Sequence, residues 1–125
     1  MKYIQNPTTI GEKIRNRRLE LRLLQKDVAD MMGICEDTVT YWENDRAEPQ
    51  IKHYPKLIKF LGYVPFEIDT RTTAGKMKMY RFLNGLSQED LAKKLGINES
   101  TVFHYENGKH QPQPQTLLKM KHIIK

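Results

Sequence analysis

The chain has 125 residues, 38% apolar and 29% charged, and 21 lysines and arginines against 15 aspartates and glutamates give it a formal charge of +6. That length holds one ordinary domain or two very small ones, and the basic balance favours a polyanionic partner, nucleic acid first. No apolar run approaches the roughly 20 residues of a membrane span, Met1–Pro7 lacks the apolar core of a secretory signal, and Cys35, the single cysteine, excludes an internal disulfide and points to a reducing compartment.

Apolar residues recur at helical spacing throughout, and no stretch alternates as a strand would. A first helix is predicted from Ile10 to Leu21. A short second helix turns Val28, Ala29 and Met32 inward and stops at Gly33, where a helix end needs positive φ. Ile34 then plugs a tight turn. A third short helix begins near Glu36, with Val39 and Trp42 inward. Pro55 suits the first turn of a fourth, which carries Leu57, Phe60 and Leu61 before Gly62. In the following segment, 63–71, Pro65 breaks helix. Tyr63, Val64, Phe66 and Ile68 make it too apolar for a free linker, so it is expected to pack on one or both flanking units and restrict their relative motion. The order then repeats. A helix is predicted from Thr73 to Leu83, then a short one with Leu91, Ala92 and Leu95 inward before Gly96 and Ile97. Another starts at Glu99 with Val102 and Tyr105 inward, and a last one, expected to start at Thr116, carries Leu117, Leu118, Met120, Ile123 and Ile124.

The repetition is one of residues as well as of pattern. A shift of 63 positions lays Gln25 on Gln88, Ala29 on Ala92, Gly33-Ile34 on Gly96-Ile97, Thr38-Val39 on Thr101-Val102, Glu43-Asn44 on Glu106-Asn107 and Pro49 on Pro112, with Arg18 on Arg81 upstream. Eleven of the twenty-five positions from 25 to 49 are identical to their partners. Coincidence supplies one or two, so the chain contains an internal duplication. The expected organisation is all-α, with a first domain at 8–62, a semi-ordered apolar linker at 63–71 and a second domain at 72–125. Each domain is a bundle of four or five helices around two short helices joined by a glycine turn, which is a helix-turn-helix.

The motif Gln-x-x-Val/Leu-Ala-x-x-x-Gly-Ile-x-x-x-Thr-Val-x-x-Trp/Tyr-Glu-Asn, present twice, resembles the signature of the lambda-repressor-like, or xenobiotic-response-element, helix-turn-helix family. The resemblance implies double-stranded DNA as partner, recognition helices in the major groove and twofold pairing on operator half-sites. By the same resemblance the base-reading positions are Asp37, Tyr41 and Asn44, flanked by Glu36, Thr40 and Arg46, and in the second unit Ser100, His104 and Asn107, flanked by Asn98, Glu99, Phe103 and Lys109. Ser, His and Asn bond base edges, and Thr40 and Phe103 suit a thymine methyl. Glu36 and Asp37, however, set two carboxylates where phosphates should approach, a departure that counts against direct reading by the first unit. The resemblance further implies that Gln25 and Gln88 touch phosphate and brace the reading helix. It also implies that Arg18–Glu43 and Arg81–Glu106 are partly buried ion pairs. Cys35, at the start of the first reading helix, is read as a small residue in the place of serine rather than a redox switch.

The four histidines have no metal-ligand spacing, and no catalytic triad, paired-carboxylate pattern or phosphate-cradling loop stands out. The expectation is therefore a non-enzymatic, cytoplasmic regulator from a bacterium or phage, a repressor by preference. No cofactor, metal, membrane or small-molecule ligand is called for, a homodimer remains open, and no separate effector domain is expected. The alternative is an antitoxin-like or accessory module whose repeats bind a protein.

Overall fold

A computed structural model describes residues 4–124. Among them there is no strand. In order, the elements are α1 (Ile10–Glu20), α2 (Gln25–Met32), α3 (Glu36–Glu43), a 3-10 turn (Ile51–His53), α4 (Tyr54–Leu61), α5 (Thr73–Asn84), α6 (Gln88–Leu95), α7 (Glu99–Glu106) and α8 (Pro114–Ile123). The chain divides into two compact units between Pro65 and Phe66. At that boundary Lys13 Nζ donates to the Pro65 carbonyl at 2.7 Å within unit one, and the Phe66 ring packs 4.6 Å from Phe82 within unit two.

The helices start and stop for local reasons. Thr9 Oγ1 accepts from the Glu12 N–H at 3.0 Å while the Glu12 carboxylate accepts from the N–H groups of Thr8 and Thr9. Those donors hold the Glu12 carboxyl below the usual carboxylate range. Ser87 and Asp90 form the same reciprocal cap on α6, each side chain accepting from the other's N–H at 3.0 Å. On α2 only half of it exists. Asp27 accepts from the Leu24 N–H at 2.8 Å, but Leu24 has nothing to offer in return. Gly33 (φ +71°) and Gly96 (φ +68°) end α2 and α6 in the left-handed conformation, as their position in the motif requires. Lys119 Nζ then donates to the Leu95 carbonyl at 3.1 Å, neutralising the carbonyl end of α6.

Each unit closes around its own core. In unit one Ile14, Val28, Ala29, Met32, Val39, Trp42, Leu57, Phe60 and Leu61 are buried. In unit two the buried set is Met77, Leu91, Ala92, Leu95, Val102, Tyr105 and Met120. Full burial of one such aliphatic side chain contributes about 1.5–3 kcal/mol. The periodicity therefore identified the inward faces of the helix-turn-helix helices, and Ile34 and Ile97 pack against these cores from their turns.

The last helix differs from expectation. It starts at Pro114 rather than Thr116, because a first-turn proline gives up only an N–H that has no intrahelical partner. Leu118, expected with the apolar set of this helix, is instead 61% exposed. The first helix ends at Glu20 and α5 runs on to Asn84, one residue each from the expected Leu21 and Leu83.

Candidate nucleic-acid interface

In both units the reading helix is fastened at its C-terminal end by one guanidinium. Arg18, on α1, sets Nε 2.7 Å from Glu43 Oε2 and Nη2 3.0 Å from Glu43 Oε1, and its Nη1 donates to the Leu23 carbonyl at 3.0 Å. Arg81, on α5, repeats the arrangement with Glu106 at 2.6 and 2.8 Å and with the Leu86 carbonyl at 3.2 Å. Both pairs are buried, with side-chain exposures of 5% and 2% for Arg18–Glu43 and 8% and 4% for Arg81–Glu106. The fork geometry matches a carboxylate with two parallel bonds, and the third nitrogen ties in the turn that leads to the next helix.

The glutamines complete this joint. Gln25 Nε2 donates to Glu43 Oε1 at 3.2 Å and Gln88 Nε2 to Glu106 Oε1 at 3.3 Å, so each links the start of one helix of the motif to the end of the other. A further close approach serves the same joint in unit one. A Cβ on Gly11 would stand 1.9 Å from the Trp42 carbonyl oxygen, so α1 crosses the end of α3 where only glycine fits.

On and beside the outer faces of α3 and α7, the residues that the resemblance marks for DNA contact differ in freedom. Glu36, Asp37, Tyr41, Asn44 and Arg46 are exposed in unit one; Asn98, Glu99, Ser100, Phe103, Asn107 and Lys109 are exposed in unit two. Thr40 is only half-exposed, and its hydroxyl turns inward to Gln25 Oε1 at 2.8 Å and the Glu36 carbonyl at 3.3 Å. His104 is half-buried. Its Nδ1 is shielded and has no hydrogen-bond partner among the described residues, which leaves Nε2 as its nitrogen for a ligand. The ring sits 5.6 Å from Phe103 and 5.6 Å, nearly perpendicular, from His110. His110 carried no signal in the sequence. It arrives there because the chain curls back after α7, where the Lys109 N–H donates to the His104 carbonyl at 3.0 Å. Gln88, Glu99, Ser100, Phe103 and His104 together line an open cleft of about 440 Å³. Cys35 is exposed at the start of α3 and makes no side-chain cap; Asn98, at the same place on α7, makes none either.

Comparison with known proteins agrees with this geometry. The family model described as helix-turn-helix matches twice, at residues 14–68 and 77–122. An uncharacterised helix-turn-helix-type transcriptional regulator of Methanocaldococcus jannaschii is 47% identical over 45 residues, covering 36% of this chain and 68% of that protein. The antitoxin HipB of Escherichia coli K12 is 38% identical over 47 residues, 38% of this chain and 53% of its own. A type II methyltransferase of Lactococcus lactis subsp. cremoris is 30% identical over 102 residues, a stretch that takes in 79% of this chain but 25% of the methyltransferase. The chain thus spans about half the antitoxin and a quarter of the methyltransferase. No solved structure gives a significant match.

Proposed function

The chain belongs to the lambda-repressor-like helix-turn-helix family, and on that premise we propose that it is a sequence-specific, non-enzymatic regulator of transcription that sets its recognition helices in the major groove of duplex DNA and acts as a repressor. The observation that carries the reading is the duplicated joint. In each unit a buried arginine fork and a glutamine brace hold the outer helix of the motif rigidly, while its outward face keeps polar and aromatic side chains free. Rigid support is what base reading requires, since phosphate contacts position a protein and only side chains on a fixed helix discriminate base edges. The groups gathered on α7 and just beyond its end, the Ser100 hydroxyl, the His104 imidazole and the Asn107 amide, are donors and acceptors for base edges rather than a catalytic set.

Selection of bound sites from random duplex DNA tests the proposal. The expected outcome is enrichment of a defined site, either one contiguous double site per chain or a palindrome of such sites if the chain pairs. Absence of enrichment would favour the second reading, a protein-binding module of antitoxin type. That reading has an observation of its own. Unit one exposes Glu36 and Asp37 on its outer helix together with Tyr41 at 46% and Leu24 at 68%, a surface less suited to phosphate than to a protein.

A further inference from the structure

The first helix of each unit has a face that the two copies use differently. In unit one three side chains of α1 hold backbone groups of the chain. Lys13 Nζ donates to the Pro65 carbonyl at 2.7 Å and Arg17 Nε to the Phe60 carbonyl at 2.9 Å. Asn16, 3% exposed, clamps both backbone groups of Ile4, accepting from its N–H at 2.7 Å and donating to its carbonyl at 2.6 Å. In the register of the repeat these three positions are Lys76, Met79 and Tyr80. Here unit two has an open cleft of about 550 Å³, within the roughly 300–1,000 Å³ of ordinary small-molecule sites. Its apolar wall is Met79, Tyr80 and Leu83 of α5 with Ile123 and Ile124 from the end of α8, and Leu83 is 47% exposed.

The polar groups of the cleft define what fits it. Lys76 and Thr70 supply an ammonium and a hydroxyl, and the Lys76 ammonium has no ion-pair or hydrogen-bond partner among the described residues. No acid lines the cleft, and Asp69, next to Thr70, is engaged by the Arg71 guanidinium at 3.0 Å. Asn84 stands eight positions beyond Lys76 on α5, roughly 12 Å along the helix, and its Nδ2 is already spent on the Tyr80 carbonyl at 2.8 Å. An extended peptide is a poor occupant, because each of its residues brings an N–H and a carbonyl that need partners. Where Asn16 answers both, Met79 offers no donor. An occupant with one anionic end and an apolar body leaves no such group unmet.

We propose that unit two binds a small amphipathic anion in this cleft, a medium-chain carboxylate in chemical class, with its head on Lys76 and Thr70 and its tail along Met79, Leu83, Ile123 and Ile124. The cleft shares no lining residue with the one on α7, so the proposal does not depend on the reading of DNA.

The test is a nuclear magnetic resonance titration of the full chain with hexanoate, octanoate, decanoate and the neutral decanol, each below its aggregation limit. Wild type is compared with Lys76→Gln and Leu83→Glu, both at exposed positions that the core does not use. The expected result is saturable binding of decanoate that moves the amide signals of residues 76–84 and 120–124 and leaves those of unit one in place. Affinity should rise about 4-fold per methylene along the carboxylate series. Lys76→Gln should weaken decanoate about 10-fold or more and decanol hardly at all, while Leu83→Glu should weaken both by about 10-fold. Equal binding of decanoate and decanol, unaltered in Lys76→Gln, would overturn the anionic head. Shifts that never saturate, or that scatter over both units, would reduce the effect to adsorption of an amphiphile and overturn the site. Preference for a synthetic peptide copying residues 62–66 would make the cleft a peptide groove. Signals of the same residues that move with protein concentration alone would assign it to a second copy of the chain. Either result would overturn the proposal.

Discussion

The arginine–glutamate pairs are the residues on which each unit most depends, because a charge left behind in a site this dry has no water to turn to. Cutting only Arg81 or only Glu106 to alanine is expected to cost about 3–5 kcal/mol in urea titration, whereas replacing both with apolar side chains of similar volume should cost far less. A single-variant loss below about 1 kcal/mol would mean that the pair behaves as a surface one. His53, which lies 5.4 Å from the Trp42 ring, is held below the usual histidine range by burial first, then by Lys52 and Lys56. The unfolded chain therefore binds the proton more readily than the folded one, so stability should fall as pH drops below about 6.5 and level off below the folded value. The difference in urea midpoint between pH 7.5 and 5.5 should shrink in His53→Gln; an unchanged difference would remove His53 from the effect. Capping is a third residue-scale asymmetry. In the register of the repeat Leu24 stands against Ser87, Cys35 against Asn98, Arg22 against Gly85 and Asp45 against Gly108. Asn98 makes no cap, so the second contrast carries no stability argument. The others stand: Arg22 and Asp45 adopt φ of +56° and +60° where unit two has glycine, and Leu24 lacks the oxygen of Ser87. Leu24→Ser should complete the cap on α2 and stabilise the chain by about 1 kcal/mol. A melting temperature that does not rise would show the half-cap from Asp27 to be sufficient.

At the scale of elements, the two halves part company after the reading helix, and proline placement accounts for it. In register Ile51 matches Pro114 and Pro55 matches Leu118. A continuous α-helix through Pro55 would drive the ring into the carbonyl four residues back, so unit one breaks into a 3-10 turn, Ile51–His53, followed by α4. In unit two the proline stands first and Leu118 keeps its N–H, so one helix runs from Pro114 to Ile123. Leu118 projects into solvent, and replacing it therefore perturbs the backbone more than the core. Leu118→Pro should cost about 3 kcal/mol and reduce helical circular dichroism; a loss under about 1 kcal/mol would show that unit two accepts the broken arrangement of unit one. The apolar period located seven of the eight helices to within a residue at one or both ends. It misplaced the start of α8 because Pro114 and Gln115 add no apolar signal to the helix they open.

For the whole molecule, charge is unequally divided. Residues 1–69 hold eleven basic and eleven acidic side chains, while residues 70–125 hold ten and four and so account for the entire +6. Counterion release follows the number of phosphates neutralised, so unit two should supply most of the non-specific affinity and most of its salt dependence. In the full chain, Ser100→Ala with His104→Ala is expected to damage specific binding more than Asp37→Ala with Tyr41→Ala. The reverse order would assign the principal reading surface to unit one and defeat the argument from charge.

The sequence alone determined the duplication, the helical class and the glycine turns, and the family resemblance implied the pairing of Arg18 with Glu43 and Arg81 with Glu106. Each of these follows from periodicity, from a backbone constraint that travels with one residue type, or from a family motif whose spacing is unbroken. Only the tertiary structure decided which polar groups on the reading faces are free. Thr40 and Gln25 stand fifteen residues apart, and nothing local to either shows that the hydroxyl of one donates to the amide oxygen of the other. His104 loses access at Nδ1 in the fold, with His110 and Phe103 packed around its ring, and Asn98 has the composition of a cap without the contact. A hydrogen bond saturates a group according to what stands across from it, and that is set by packing between helices rather than by the residue's own type.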